Sequence, residues 1–218
     1  SNFVQPFLPF RLRIKGIHDL QFATHSEWSA NAEMTSEYFP SIEFASAAAT
    51  LRDLAQSPTI GAQIRLLAGV GTGKTRFVLE AFRNERLSPL LLYTSAYNFF
   101  RSTLFTFIAR EAATQTIFLV VDECDLSNAL IIQNRLSNYR NIVTITIFND
   151  EFEPRQAKGF VYQRIPALTQ EQITAIIKSY GVSKTDAERY APYAGNSPRF
   201  AHLLGLNLKE HPTHLIHE

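Results

Sequence analysis

The chain has 218 residues, which is enough for one large domain or for a domain with a smaller appendage. Hydrophobic residues make up 45% of it and charged residues 19%, a balance typical of globular proteins that excludes a disordered or highly charged chain. The net charge of +1 gives no overall attraction to membranes or nucleic acids, so nucleic-acid binding stays open but is not indicated by charge.

Cys124 is the single cysteine, which excludes an internal disulfide framework and a multi-cysteine zinc site and favours a reducing compartment. No apolar run reaches the ~18 residues of a membrane span, and the start of the chain lacks the pattern of a signal peptide. We therefore predict a cytoplasmic protein without a membrane partner. The first residue is Ser1 rather than methionine, which indicates a piece of a longer polypeptide.

Residues 1–40 are predicted to be an N-terminal extension with at least one strand. Apolar and basic side chains alternate from Phe10 to Lys15, as in a half-buried strand with one cationic face. The basic residues of this strand would face solvent or, alternatively, follow a phosphate backbone. Three aromatic residues of the extension, Trp28, Tyr38 and Phe39, are interpreted as packing residues.

From residue 41 to 166, helix-like and strand-like segments alternate, as expected for an α/β core. Ser41 offers an N-cap for an amphipathic helix. Strand-like runs at 63–67, 90–94, 117–121, 141–148 and 161–165 predict five strands, of which 90–94 and 117–121 are apolar and typical of buried parallel strands. Residues 97–113 predict one long aromatic helix. The first of these helices carries its apolar stripe on Phe44, Ala47, Ala48, Leu51, Leu54 and Ala55.

A glycine-rich stretch at 68–75 lies between the strand-like run 63–67 and a helix-like run, which predicts a phosphate-binding loop. Lys74 would contact the outer phosphates, the Thr75 hydroxyl would hold magnesium, and the helix dipole would favour the anion. Ala68 replaces the usual first glycine. The alternative is a glycine-rich turn with a surface lysine. The predicted nucleotide-binding residues are Gly69, Val70, Gly71, Thr72, Gly73, Lys74 and Thr75.

Two acids, Asp122 and Glu123, follow the apolar strand at 117–121. This places them at the carboxyl edge of a parallel sheet, where ligands bind. Asp122 is predicted to hold magnesium, and Glu123 to orient and deprotonate a water aimed at the terminal phosphate. Asn149 follows the next strand, where its amide could bond both that water and the phosphate; a turn-forming asparagine is the alternative.

Residues 167–218 are predicted to form a helical lid and a C-terminal tail. Capping boxes at 169–172 and 185–188, and an N-cap at Ser197 followed by Pro198, imply three short helices. Arg199 lies in the first turn of the third helix, where the dipole disfavours a cation, so a phosphate partner would explain it. A surface arginine is the alternative.

These motifs together resemble the AAA+ ATPases, and within them the origin-recognition and helicase-loader branch with the related STAND signalling NTPases. The resemblance covers about residues 40–208. It implies a three-layer αβα P-loop domain with a parallel sheet of order 5-1-4-3-2, followed by a small helical lid, with ATP or ADP and Mg²⁺ as ligands. It also implies Lys74 on the β and γ phosphates, Glu123 as base, Asn149 as first sensor and Arg199 as second sensor.

Proteins of this kind usually form rings or filaments, so the resemblance implies a homo-oligomer or a larger multidomain protein in which a neighbour's arginine completes the site. Arg155 is the predicted finger, and Arg164 and Arg140 are alternatives. Two functions follow. One is an ATPase that remodels or loads a macromolecule; the other is a STAND-like nucleotide-gated switch with slow hydrolysis. A small-molecule kinase is disfavoured because the acid pair suits water better than a substrate hydroxyl.

Overall fold

The structure, a computed structural model, describes residues 22–30, 37–56, 63–112, 115–149 and 158–211. Within these ranges the strands are β1 (Ala23–Thr24), β2 (Gln63–Leu67), β3 (Leu91–Ser95), β4 (Ile117–Asp122), β5 (Ile142–Ile147) and β6 (Phe160–Arg164). The helices are α1 (His25–Ser29), α2 (Ile42–Gln56), α3 (Lys74–Ala81), α4 (Ala96–Arg101), α5 (Leu104–Glu111), α6 (Leu126–Leu136), α7 (Gln170–Lys178), α8 (Lys184–Ala194) and α9 (Pro198–Glu210), with a short 3₁₀ turn at Ser88–Leu90.

All six strands form one sheet in the order β1-β3-β4-β5-β2-β6. The five longer strands are parallel, and their order confirms the predicted 5-1-4-3-2 arrangement. The sheet also has a strand that was not predicted, β1, which pairs antiparallel with β3 at one edge. Two residues carry no readable alternation, which is why the sequence did not indicate it. The predicted strand from Phe10 to Lys15 lies outside the described residues.

Helices cover both faces of the sheet and bury a core on each side. Every residue of β2 and of β5 is buried, as expected for central parallel strands. Alternate side chains point to opposite faces, so Phe118 and Val120 of β4 belong to a core cluster with residues of α2, α3, α7, α8 and α9. Leu119 and Val121 belong to a second cluster with residues of α4, α5 and α6. The carboxyl ends of the parallel strands therefore meet at one edge, where the candidate site lies.

The predicted helix at 97–113 is wrong in one respect, because the structure has two helices, α4 and α5, separated at Ser102 and Thr103. Ser102 has extended backbone dihedrals, and its hydroxyl accepts the N–H of Leu104 at 3.3 Å. A serine that bonds its own neighbouring backbone competes with the helical pattern, which explains the break.

Helix starts were predicted correctly in three of four cases. Ser41 accepts the N–H of Phe44 at 3.2 Å before α2, a capping box at Thr169 begins α7, and Ser197 caps α9. The capping box predicted at Thr185 is wrong, because Ser183 caps α8 two residues earlier. Both residues have an acid three positions on, so the sequence pattern alone could not separate them. No helix within the described ranges is long and apolar enough to span a bilayer.

Candidate functional site

The glycine-rich loop leads from the end of β2 into α3. Gly71 and Gly73 have φ values of 73° and 83°, a left-handed conformation that glycine adopts without steric cost. Gly73 is the N-cap of α3, and its carbonyl accepts the N–H of Phe77 at 2.8 Å. Among the described residues, Glu123 is the only non-glycine residue with positive φ, so Ala68 occupies ordinary backbone and its methyl group is accommodated. The departure at the first motif position is therefore compatible with this loop.

Lys74 is the first residue of α3, and its side chain is 6% exposed. Its ammonium donates to the carbonyls of Ala68, at 3.0 Å, and Gly69, and to Oδ1 of Asn149 at 3.2 Å. The structure thus brings Asn149, from beyond the end of β5, to the loop lysine. An ammonium held among oxygen acceptors at a helix N-terminus is positioned to exchange these acceptors for phosphate oxygens.

Asp122, at the end of β4, accepts three hydrogen bonds. Thr75 Oγ1 donates to Asp122 Oδ2 at 2.8 Å, Tyr93 Oη donates to the same oxygen at 3.0 Å, and the backbone N–H of Glu123 donates to Oδ1 at 2.8 Å. A hydroxyl beside a carboxylate is an oxygen donor set that suits Mg²⁺, which commonly takes one or two carboxylates plus phosphate oxygens and water. The residues present therefore fit a magnesium ion at Thr75 and Asp122.

Glu123 differs from its neighbour, because its side chain is exposed and its φ is 52°. A non-glycine residue in this region costs on the order of 1–3 kcal/mol and persists where the surroundings fix it. Two contacts fix the turn: the N–H of Cys124 donates to the carbonyl of Ile147 at 2.9 Å, and Arg65 Nη1 donates to the carbonyl of Cys124 at 3.0 Å. The exposed carboxylate thus points away from the core at the ligand edge.

Arg65 was not predicted to support the site. It lies in the middle of β2 and is fully buried, and besides Cys124 it contacts Thr146 Oγ1 at 3.4 Å. A charged residue within an apolar strand was the signal in the sequence, since buried arginines are usually paired. Cys124, whose carbonyl accepts from Arg65, is itself buried.

The start of α9 lies over the glycine-rich loop. Ser197 Oγ donates to the carbonyl of Gly71 at 3.2 Å. A Cβ placed on Gly71 would lie 2.9 Å from Ser197 Oγ and 3.8 Å from the Cβ of Arg199, and one on Gly73 would lie 3.3 Å from Pro198 Cγ. Arg199 is exposed, so its guanidinium is available to an anion bound on the loop. Position 71 therefore requires glycine for two reasons: Ser197 lies too close to leave room for a Cβ, and the φ of the residue is left-handed.

The three arginines considered as a trans-acting finger lie in different places. Arg155 falls outside the described residues. Arg164 ends β6 and pairs in register with Leu67, so it lies at the same edge as the loop. Arg140 precedes β5 and lies at the opposite edge of the sheet. The assignment of Arg155 stays a prediction.

A polar cluster joins α3 to the segment before α2. Arg76 pairs with Glu80 at 2.7 Å, and its guanidinium lies 5.6 Å from the ring centre of Tyr38. Burial and the charge of Glu80 raise the pKa of Tyr38 to about 12, so its hydroxyl stays a neutral donor at physiological pH. In the lid, burial and then the charge of Arg76 lower the pKa of His202.

Comparison with solved structures gives high-probability matches at low sequence identity. PCH-2 from C. elegans matches with a TM-score of 0.53 and 16% identity over 84% of this chain and 66% of that chain. The replication initiator DnaA bound to AMPPCP and single-stranded DNA matches with a TM-score of 0.54 and 14% identity over 79% and 63% of the two chains. The Thermotoga maritima RuvB Holliday junction branch migration motor matches with a TM-score of 0.51 and 15% identity over 77% and 61%.

No family model matches the sequence, and no curated protein matches it. The chain spans less than two thirds of the length of each of these three solved chains. The chain has the fold of the AAA+ P-loop ATPases.

Proposed function

We propose that this chain, which has the AAA+ P-loop fold, binds ATP with magnesium, hydrolyses it, and couples its nucleotide state to the remodelling or loading of a macromolecule. One observation carries the proposal: Lys74 bonds Asn149, and Thr75 bonds Asp122, at the same edge of the sheet. These residues come from three separate parts of the sequence. Their meeting at a glycine-rich loop is hard to explain unless they serve one phosphate ligand.

Each residue has a proposed role that follows from its position. Lys74 leaves the loop carbonyls and neutralises the outer phosphates, and the loop N–H groups with the α3 dipole bind the remaining phosphate oxygens. Thr75 and Asp122 would hold magnesium, which when bound neutralises charge that develops on the phosphates. Arg199 approaches the phosphates from the lid, so closure of the lid would complete the site.

Hydrolysis requires a water placed in line with the terminal phosphate. Glu123 is the proposed base, because its exposed carboxylate lies at the ligand edge and beside the metal-binding Asp122. Asn149 is proposed to orient the water through its amide, and its contact with Lys74, the proposed phosphate ligand, supports this role. The strained backbone at Glu123 favours a functional role for this residue.

A nucleotide-gated switch is the second candidate, and the contact between Ser197 and Gly71 favours it. The lid touches the loop that a nucleotide would occupy, so nucleotide binding has a direct route to the position of the lid. In this alternative, hydrolysis is slow and the lid position is the output. The two candidates use the same binding residues and differ in turnover.

Steady-state ATP hydrolysis across protein concentrations separates the candidates. Single- and double-stranded DNA belong in the assay because two of the matched structures are a replication initiator with single-stranded DNA and a branch migration motor. We expect a rate per chain that rises with concentration and that falls about 100-fold or more in Glu123→Gln, with nucleotide binding retained.

Glu85→Gln is the matched control, because Glu85 is an exposed acid outside the site. Its rate should equal that of the wild type. Tight ATP binding without turnover at any concentration would contradict the ATPase and favour the switch. Absence of ATP binding would contradict both candidates.

A further inference from the structure

Tyr93 lies on β3 and reaches the carboxylate of Asp122 on the neighbouring strand. Its hydroxyl donates to Asp122 Oδ2 at 3.0 Å, the oxygen that also accepts from Thr75 at 2.8 Å. We propose that Tyr93 is a positioning residue for the magnesium-binding carboxylate, and that residues 22–30, here named the N-terminal hook, hold Tyr93 in place. The inference rests on the proposed function.

The hook contacts Tyr93 through both its backbone and a side chain. Ala23 of β1 pairs in antiparallel register with Tyr93, so the strand pairing fixes the backbone of the tyrosine. The chain then turns into α1, which returns Trp28 over the tyrosine ring, with ring centroids 4.2 Å apart and an interplanar angle of 14°. Trp28 is 3% exposed, so the stack is part of the core. Tyr93 is therefore held from two directions.

Two further contacts make the hook a defined structure. Thr24 and Glu27 form a reciprocal capping box that starts α1. Nε2 of His25 lies 3.0 Å from the carbonyl of Leu79 in α3, the helix that begins with Lys74. The hook thus spans β3, which carries Tyr93, and α3, which carries the loop lysine and Thr75.

The physical consequence concerns the orientation of Asp122. A carboxylate at a strand end can rotate about its terminal bond, and only some orientations present an oxygen to a metal beside Thr75. The Tyr93 hydroxyl and the Glu123 N–H bond opposite oxygens and so fix this rotation. Groups that orient a metal ligand typically change metal affinity by about 10- to 100-fold when they are removed. Tyr93 should act on the metal-dependent part of nucleotide binding alone.

Tyr93→Phe tests this role, because it removes the hydroxyl and keeps the ring that stacks on Trp28. Calorimetric titration with AMPPNP, a non-hydrolysable ATP analogue, is done once with magnesium and once with EDTA. We expect Tyr93→Phe to weaken binding about tenfold with magnesium and to leave binding in EDTA unchanged. Tyr97→Phe is the matched control, because Tyr97 is exposed and its hydroxyl contacts Arg101; both affinities should match the wild type.

Three results would overturn the inference. An unchanged magnesium-dependent affinity in Tyr93→Phe would show that the hydroxyl positions nothing. An equal loss of AMPPNP affinity with magnesium and with EDTA would show that the Tyr93 hydroxyl has a general structural role and does not position the metal ligand. The third result concerns the wild-type protein: if it binds no AMPPNP, or binds it equally with and without magnesium, the proposed function itself is overturned. This outcome can be told apart from the other two because it is seen in the wild type, before any substitution is made.

Trp28 provides a second readout, because it is the only tryptophan in the chain and lies against Tyr93. Magnesium added to the AMPPNP complex should change the Trp28 emission of the wild-type protein and of Tyr97→Phe, and this change should be lost in Tyr93→Phe. A magnesium-induced change that persists in Tyr93→Phe would contradict a link through the tyrosine hydroxyl. A circular dichroism spectrum of each variant confirms that the fold is retained.

Discussion

The two sides of the candidate site are held in different ways. On the core side, Asp122 accepts three hydrogen bonds, Lys74 is buried among its acceptors, and every residue of β2, which leads into the glycine-rich loop, is buried. On the side proposed to act as a lid, helices α7, α8 and α9 make their main contacts with one another. The polar contact from the start of α9 to the loop is the bond from Ser197 to Gly71.

This difference indicates which half of the site can move. The core side owes its geometry to strand pairing and buried contacts, which open only at a free energy close to that of global unfolding. The lid side is tied to the loop by a partly exposed polar contact, which is worth about 1 kcal/mol. We therefore expect nucleotide to find the half of the site with the proposed magnesium ligands already formed and to act on the position of the proposed lid.

Of the proposed substitutions, Gly71→Ala should have the largest effect on the contact between α9 and the glycine-rich loop. The new Cβ would lie 2.9 Å from Ser197 Oγ, and the serine cannot rotate away without losing its bonds to Gly71 and to the N–H of Phe200. The bond to Gly71 is worth ~1 kcal/mol, so we expect nucleotide affinity to fall about fivefold or more, while the lost cap bond should lower stability. Calorimetric titration with AMPPNP and magnesium measures the loss.

Gly181→Ala is the control for backbone strain. Gly181 has a similar φ, 85°, but nothing lies within 4 Å of the position of its Cβ. The left-handed backbone should cost about 1–2 kcal/mol in either variant, which lowers the melting temperature by about 2–4 °C per kcal/mol in a protein of this size. Gly181→Ala should therefore lower stability without weakening nucleotide binding. Equal losses of affinity in both variants would show that the lid contact is unimportant.

Ser197→Ala removes the lid contact with a smaller change. Loss of the bond to Gly71 should speed nucleotide release about fivefold, as expected for ~1 kcal/mol, and loss of the helix cap should cost about 1 kcal/mol of stability. Stopped-flow displacement of a fluorescent nucleotide measures the release rate.

Ser183→Ala is the matched variant. Ser183 caps α8 as Ser197 caps α9, by accepting the N–H of Asp186 at 3.1 Å, but it lies at the start of a different helix. It should lose a similar amount of stability and keep the wild-type release rate. Release from Ser197→Ala that is no faster than from Ser183→Ala would show that the serine acts only as a cap.

Local motifs were predictable from the sequence, and most contacts between distant segments were not. Thr75 and Asp122 are an exception, because both were predicted to hold magnesium and the structure brings them into contact. The glycine-rich loop, the two acids at the end of β4 and the caps at Thr169 and Ser197 are set by neighbouring residues, so their sequence patterns could be recognised. The order of the parallel strands followed from the family resemblance. The contact of Tyr93 with Asp122 joins two strands, and the hook reaches Tyr93 from much earlier in the chain. No periodicity reports such a contact, because tertiary packing decides it.

Local sequence patterns gave wrong predictions where one segment was compatible with two local structures. The aromatic run at 97–113 has helical spacing throughout, yet Ser102 bonds its own backbone and ends α4. Ser183 and Thr185 offer the same capping pattern, and in the structure Ser183 is the cap of α8. At Arg65 the sequence did hold a usable signal, a charge inside an apolar strand, whose partner only the fold could supply.

The smallest expected effect concerns His202 in the lid, whose pKa is lowered by burial and then by the charge of Arg76 on α3. Tyr180 also faces it, with its hydroxyl 3.0 Å from Nδ1. The folded protein favours the neutral ring, so it binds fewer protons than the unfolded chain. The stability contributed by the neutral ring is fully present above the unfolded pKa of about 6.5 and is lost as the pH falls through the lowered folded pKa.

Protonation of His202 on α9 would also place a second positive charge near Arg76 on α3. Because these two charges repel each other, acid should weaken the contact between the lid helices and the core. Melting temperatures measured from pH 8 to pH 5 should fall about 1–3 °C further in the wild type than in His202→Gln, which keeps a polar side chain for Tyr180 but has no charge to gain. His211→Gln, which alters an exposed histidine just after α9, should follow the wild-type curve. Parallel curves for the wild type and His202→Gln would show that this histidine does not link the lid to pH.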